Sequence, residues 1–226
     1  IDSCVIVGKW LSLMLQHAPC LEELYLSSQE EENLEEGENS EEEENSISNL
    51  SSTREGTSSG NPDDGLALDR LLRIPLNLIS ILKSITIERC PHLTFNWGKE
   101  GVSGFTSLEK LIVLDRPDMV LTNGRWLLPN SLGELESNDY SRGTLQPCFP
   151  SDITSLKKLK VRRSPGLQSL QLHSCMALEE LDIQDCRRLA ALQGLQFLGS
   201  LTHLTIYNCP GLPPFLGSFS RPDCGI

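Results

Sequence analysis

One twelve-residue phrase, L-x-x-L-x-[LI]-x-x-C-x-x-L, is written several times along this chain. It reads Leu82, Ile85, Ile87, Cys90 and Leu93, then Leu178, Leu181, Ile183, Cys186 and Leu189, then Leu201, Leu204, Ile206, Cys209 and Leu212. A phrase that returns at a near-constant offset defines a stack of like units, each too small to bury its apolar face alone. Its fourth position falls at Leu24, Ile85, Leu111, Leu135, Leu159, Leu181 and Leu204, and the steps after Ile85 are 26, 24, 24, 22 and 23 residues. The step from Leu24 to Ile85 is 61 residues and contains a low-complexity block, Gln29 to Asp64, of 36. Removing that block leaves 25 residues, one ordinary unit.

Units of ~20–29 residues with this pattern are leucine-rich repeats. Apolar and other residues alternate within L-x-x-L-x-[LI], which is the period of a strand. The fold class read from the phrase is therefore an α/β solenoid. It is a leucine-rich-repeat horseshoe with a concave parallel β-sheet of short strands, a mostly irregular convex side and little α-helix. Strands are expected near 157–162, 179–184 and 202–207. A competing phase of eleven residues links Leu156, Leu167, Leu178 and Leu189. Eleven residues cannot hold a strand, a return segment and two turns, and the copy starting at Leu189 has Gly194 where its third apolar residue belongs. Residues 167–175 are accordingly assigned to the return side, with 167–172 free to pair locally. Proline after the strand, at Pro91, Pro165 and Pro210, favours an extended turn over a long helix.

Residues 1–226 read as a single repeat domain, with 29–64 as an acidic insertion inside one repeat. Ile1, Asp2, Ser3, Cys4 and Val7 match Ile183, Gln184, Asp185, Cys186 and Leu189. The chain is thus expected to begin in mid-unit, as a fragment with residues upstream. The insertion's only larger apolar residues are Leu34, Ile47 and Leu50, too few to order it, so it is expected to be a solvated, disordered loop. Ser40 and Ser52, each followed three residues later by Glu, make it a candidate regulated segment, although simple loop expansion explains it as well. Asn49-Leu50-Ser51 is a glycosylation triplet that matters only in a secreted protein.

The net charge of −12 invites the label of an acidic protein. The insertion alone holds 13 acidic residues and Arg54, and the remainder carries 18 of each sign. A net-neutral solenoid without a basic stripe offers little to nucleic acid. No apolar run approaches the ~20 residues that span a bilayer. Val5 to Leu15 is interrupted by Lys9 and lacks the flanks of a signal peptide.

Cys4, Cys90, Cys186 and Cys209 share one slot just past the strand, where a small thiol packs inside the turn. They are expected to be reduced structural thiols in an intracellular, cytoplasmic compartment. Without a C-x-x-C, and with four scattered His, no metal is expected.

The outward positions form lanes: Glu23 and Tyr25, Ser84 and Thr86, Lys110 and Ile112, Glu134 and Glu136, Lys158 and Lys160, Glu180 and Asp182, then His203, Thr205 and Tyr207. With strands ~4.8 Å apart, Lys158 should stand between Glu134 and Glu180, and Lys160 between Glu136 and Asp182. These lanes are either a charged recognition stripe or exposed pairs that neutralise one another, worth ~0–1 kcal/mol each. The second is the simpler reading. The candidate protein-binding residues are Tyr25, Lys110, Glu134, Glu136, Lys158, Lys160, Glu180, Asp182, His203, Thr205 and Tyr207.

No phosphate-binding loop or dinucleotide fingerprint is present. Gly101 to Phe105 falls one residue short of a nucleophile elbow. His173 and Cys175 have no third group to orient them. Adjacent carboxylates such as Glu22/Glu23 and Glu179/Glu180 are expected to point apart or into solvent. No catalysis, cofactor or membrane association is expected; the expected partner is protein.

With its repeats laid out, the sequence resembles the leucine-rich-repeat region of plant coiled-coil-type nucleotide-binding disease resistance proteins, especially those of grasses. Thr106-Ser107-Leu108-Glu109-Lys110-Leu111 and Ala177-Leu178-Glu179-Glu180-Leu181-Asp182-Ile183 carry the resemblance. The turns Cys186-Arg187-Arg188-Leu189 and Cys209-Pro210-Gly211-Leu212 fit too. The resemblance implies sensing of a pathogen effector or a guarded host protein, and restraint of an upstream nucleotide switch. It assigns no nucleotide binding to these residues. The alternative is the substrate-binding repeat domain of an F-box ubiquitin-ligase adaptor, which also uses Cys-x-x-Leu repeats.

Overall fold

The computed structural model describes residues 8–27, 70–90, 93–96, 101–115, 121–122, 125–138, 144–145, 147–148 and 155–213. The insertion at 29–64, the Cys4 slot, Pro91, Ser40, Ser52 and the Asn49 triplet lie outside the described residues. In chain order the elements begin with α1 (Gly8–Gln16), β1 (Glu23–Ser27), β2 (Leu71–Arg73), α2 (Leu76–Ile79), β3 (Ser84–Glu88), β4 (Thr94–Asn96) and β5 (Lys110–Leu114). Then come β6 (Leu121–Thr122), β7 (Arg125–Leu127), β8 (Glu134–Asn138), β9 (Thr144–Leu145), β10 (Pro147–Cys148) and β11 (Lys158–Arg162). The series closes with β12 (Ser169–Gln171), β13 (Glu180–Gln184), β14 (Ala191–Gln193) and β15 (His203–Tyr207).

The seven five-residue strands line up as one parallel sheet in the order β1-β3-β5-β8-β11-β13-β15. Its register aligns equivalent positions of the phrase: Leu24 faces Ile85, Ile85 faces Leu111, and Leu159 faces both Leu135 and Leu181. A staircase of backbone bonds locks this register at each strand entry. The Glu22 carbonyl accepts from Lys83 and Ser84 N–H, and the Lys83 carbonyl accepts from Glu109 and Lys110. The same fork recurs at Glu109, Gly133, Lys157 and Glu179. A slip of one residue would break the forks and also turn the leucine ladders toward solvent. In the middle of the stack those ladders, from Ile85 and Ile87 to Leu181 and Ile183, are fully buried, in one continuous core.

Behind the front sheet run shorter strands that the phrase did not announce. β9, β12 and β14 form a second parallel ladder, with Leu170 facing Leu145 and Leu192. Segment 167–175 thus lies on the return side as expected, and its pairing is with neighbouring turns. The eleven-residue phase is the spacing between front and back strands of one turn. The weak copy after Leu189 is back strand β14, ended by Gly194 at φ +88. A Cβ there would sit 2.8 Å from the His173 nitrogen, so this stop requires glycine. Among the described residues, helix is confined to α1, α2 and short 3-10 turns, in keeping with the expected small helical share.

Five of the seven front strands are described past their last residue, and those five leave the sheet in the same way. Arg89, Asp115, Arg163, Asp185 and Asn208 follow β3, β5, β11, β13 and β15 and all take positive φ, between 44° and 70°. The next residue then turns its side chain back. Cys90, Cys186 and Cys209 Sγ donate to the carbonyl two residues earlier at 3.2, 3.4 and 3.3 Å, and Ser164 Oγ does so at 2.9 Å. Left-handed backbone costs a non-glycine residue ~1–3 kcal/mol. The returning donor offsets that cost by capping a carbonyl at the strand end.

Candidate protein-recognition face

Because the inner positions of every front strand are taken by the core, residues at alternate positions stand on the opposite face. All the candidate residues named above fall on that face in the expected register. Lys158 is in register with Glu134 and Glu180, and Lys160 with Glu136 and Asp182. The face carries charge by strand: β8 contributes Glu134 and Glu136, β11 contributes Lys158, Lys160 and Arg162, and β13 contributes Glu180 and Asp182.

The ion pairs do not follow the register in the way expected. Lys158 closes on Glu180 at 3.4 Å, while Glu134 is taken by Lys110 at 3.5 Å and by Lys160 at 3.8 Å. Lys160 also reaches Glu180, at 4.0 Å. Glu136 and Asp182, the expected partners of Lys160, are held instead by Arg162 at 3.3 and 2.8 Å. Diagonal neighbours come within reach of long side chains in a twisted sheet. A guanidinium fork can also hold two carboxylates at once, which an ammonium does less well.

The description of the pairs as exposed is corrected for Asp182. Asp182 is 7% exposed. It accepts from Arg162 Nη2 at 2.8 Å and from Gln184 Nε2 at 2.8 Å. The Asp182 hydrogen bond lifts the Arg162 guanidinium above its ordinary range, outweighing partial desolvation. Glu22 and Glu179 lie just ahead of their strands and pair with Lys83 at 2.8 Å and Lys157 at 3.2 Å.

Arg162 belongs to a third outward lane that the sequence reading left out apart from Tyr207. The strands are five residues long, so this lane runs through Ser27, Glu88, Leu114, Asn138, Arg162, Gln184 and Tyr207. Extending the period of two one step beyond L-x-x-L-x-[LI] would have found it. Asn138 is buried there and grips the exit of the preceding front strand β5, with its Nδ2 donating to Asp115 Oδ1 at 3.0 Å and its Oδ1 accepting from Asp115 N–H.

The ends of the face differ from its centre. At β1, Tyr25 is 54% exposed and its hydroxyl donates to Glu88 at 3.2 Å. Ile112 and Leu114 on β5 are half-buried. At β15, His203, Thr205 and Tyr207 are all exposed, Tyr207 at 64%. Thr202 Oγ1 donates to the Glu179 carbonyl at 3.0 Å and lies 2.9 Å from His203 Nδ1. With the hydroxyl proton so committed, the network assigns the proton to Nδ1 and leaves Nε2 open.

The cysteine slot is structural. Cys90 and Cys186 are buried, and Cys20, Cys186 and Cys209 are free thiols. Burial pushes the Cys186 thiol up to about 11 and raises that of Cys209. Such thiols are poor nucleophiles near neutrality. His173 packs its ring 6.0 Å from that of Phe197, and Cys175 is fully buried. Gly101 to Gly104 is a 3-10 turn on the way to β5. Among the described residues no group of three or more His, Cys, Asp or Glu could hold a metal ion. No helix among them is long and apolar enough to cross a membrane.

Fold and face together define a parallel-strand solenoid of the leucine-rich-repeat kind, presenting one sheet face in three lanes. No family model matches the sequence, and no curated protein or solved structure matches it.

Proposed function

We propose that this chain is a protein-recognition module that reads its partner on the outward face of the front sheet. In this reading it serves an intracellular plant immune receptor of the nucleotide-binding leucine-rich-repeat kind. It senses a pathogen effector or a guarded host protein and restrains an upstream nucleotide switch. The observation that carries the proposal is the face itself: seven strands in one register hold their outward side chains on a rigid, core-backed lattice. Its neutralised charged centre is flanked by exposed Tyr25 at one end and by His203 and Tyr207 at the other. Exposed aromatics are favoured anchors in protein interfaces. The free thiols suit a reducing compartment.

The test is made in the full-length receptor. Tyr25→Ala, His203→Ala and Tyr207→Ala, made singly and together, should lower the response to a cognate effector without lowering protein level. A response left unchanged by the triple variant for every cognate effector would overturn the assignment of this face.

A further inference from the structure

Two of the strand-end cysteines stand in consecutive turns. Gln184 on β13 faces Tyr207 on β15. Cys186 and Cys209 each follow two residues later, so the same register carries them into adjacent slots. The two exits stay joined beyond the strands. Asp185 N–H donates to the Tyr207 carbonyl at 3.0 Å, and Asn208 Nδ2 donates to Asp185 Oδ1 at 2.7 Å. Asp185 and Asn208 both take positive φ, 57° and 51°, and the side chain after each turns back in the same sense.

The two thiols converge on one stretch of backbone. Cys186 Sγ donates to the Gln184 carbonyl at 3.4 Å, and Cys209 Sγ reaches across to the Ile183 carbonyl at 3.9 Å. Burial is the main reason that the Cys186 thiol titrates high, and the neighbouring Cys209 thiol adds to it. Adjacent strands lie ~4.8 Å apart, inside the ~4.4–6.8 Å Cα separation that a disulfide spans. On its other side Cys186 meets the slot that follows β11, filled by Ser164, whose hydroxyl cannot form such a bond. Whatever follows residue 213 would stack on the far side of Cys209 and leave the contact with Cys186 in place.

We propose that Cys186 and Cys209 are a redox pair, closing to a disulfide between turns under a peroxide and reopening under a thiol reductant. One thiolate attacks a peroxide oxygen and the O–O bond breaks. The leaving oxygen takes up a proton to depart as water, and the sulfur becomes a sulfenic acid. The second thiol gives up its proton and displaces the hydroxyl from that sulfur, forming the S–S bond and releasing a second water. Two thiols are oxidised and one peroxide is reduced. Thiols held up by burial react slowly near neutrality, so the pair stays open under brief exposure and closes under sustained oxidant. In a solenoid each unit touches only its neighbours, and this bond staples the exits of β13 and β15 together.

The test exposes the 226-residue chain to hydrogen peroxide for hours and maps its disulfides by peptide mass spectrometry. A link between Cys186 and Cys209 within one chain is expected, reversed by dithiothreitol. It should raise the urea midpoint by roughly 0.5–1 M, because it constrains the unfolded chain. Cys186→Ser and Cys209→Ser should each abolish both the link and the midpoint rise. Cys20→Ser, at an exposed cysteine outside the slot, should keep both. The mapping is read on the wild type, so misfolding of a variant cannot mask the answer. A chain in which these two cysteines stay unlinked under sustained peroxide overturns the proposal. So does a link that leaves the urea midpoint unchanged or lowers it.

Discussion

Replacing Arg162 by Ala tests whether the charged centre of the face is decoration or part of the scaffold. The guanidinium holds Asp182 at 2.8 Å and Glu136 at 3.3 Å, and Asp182 is almost wholly buried. Breaking a fully buried ion pair from one side costs about 3–5 kcal/mol, and an exposed pair is worth ~0–1. Arg162 lies between these limits, with its side chain 39% exposed. Gln184 also continues to serve the carboxylate. The expected loss is therefore about 2 kcal/mol, near the value of a charged hydrogen bond. Urea unfolding followed by circular dichroism measures it, alongside Asp182→Asn and the double variant. A double-mutant cycle should give a coupling of about 1–2 kcal/mol between Arg162 and Asp182. Lys158→Ala, which removes only an exposed contact to Glu180, should cost about 0.5 kcal/mol or less. If Arg162→Ala costs no more than Lys158→Ala, or the cycle shows no coupling, the lattice is held by its core and backbone alone.

Two further substitutions probe the interior. Ser137 occupies the ladder position held by Ile87, Val113, Val161 and Ile183, is 1% exposed, and its hydroxyl has no hydrogen-bond partner. Ser137→Val should stabilise the fold by about 1–2 kcal/mol, read as a higher urea midpoint; a lower midpoint would mean that the hydroxyl is satisfied. Cys186 gives a pH signature. Its folded value is raised above the unfolded one, so the unfolded chain loses the thiol proton first and stability falls as pH rises from about 9 to about 11. Between pH 8 and 10.5 the wild type should lose about 2 kcal/mol more than Cys186→Ala. Equal losses would show that burial does not hold this thiol protonated.

What the sequence discloses and withholds follows from the physics of each feature. Strand register was readable because the side-chain period is two and any slip turns every leucine outward; this placed Lys158 between Glu134 and Glu180 correctly. Partner choice among those side chains was not readable, because it depends on sheet twist, side-chain reach and the competing fork of Arg162. Arg162 itself stands one residue past the last apolar position of L-x-x-L-x-[LI], where nothing apolar marks the strand as continuing. The back strands were half visible. Their eleven-residue offset from the front was present, but three-residue strands such as Ser169–Gln171 carry too little pattern to distinguish pairing from coil. The cysteine slot was legible as packing. Its donation to a carbonyl two residues back, after a left-handed residue, required coordinates.

Those strand-end turns bear on how such a chain can change over generations. The left-handed residue, the returning Cys or Ser and the forked carbonyl together fix where the backbone goes, and none of them requires a particular side chain at the exposed ends of the face. Tyr25, His203, Thr205 and Tyr207 can be exchanged without rewriting the path of the chain, whereas Asp182, Asn138 and Arg162 cannot. The molecule thus separates inherited architecture from variable lettering, and natural variation among close copies should concentrate at Tyr25, His203, Thr205 and Tyr207.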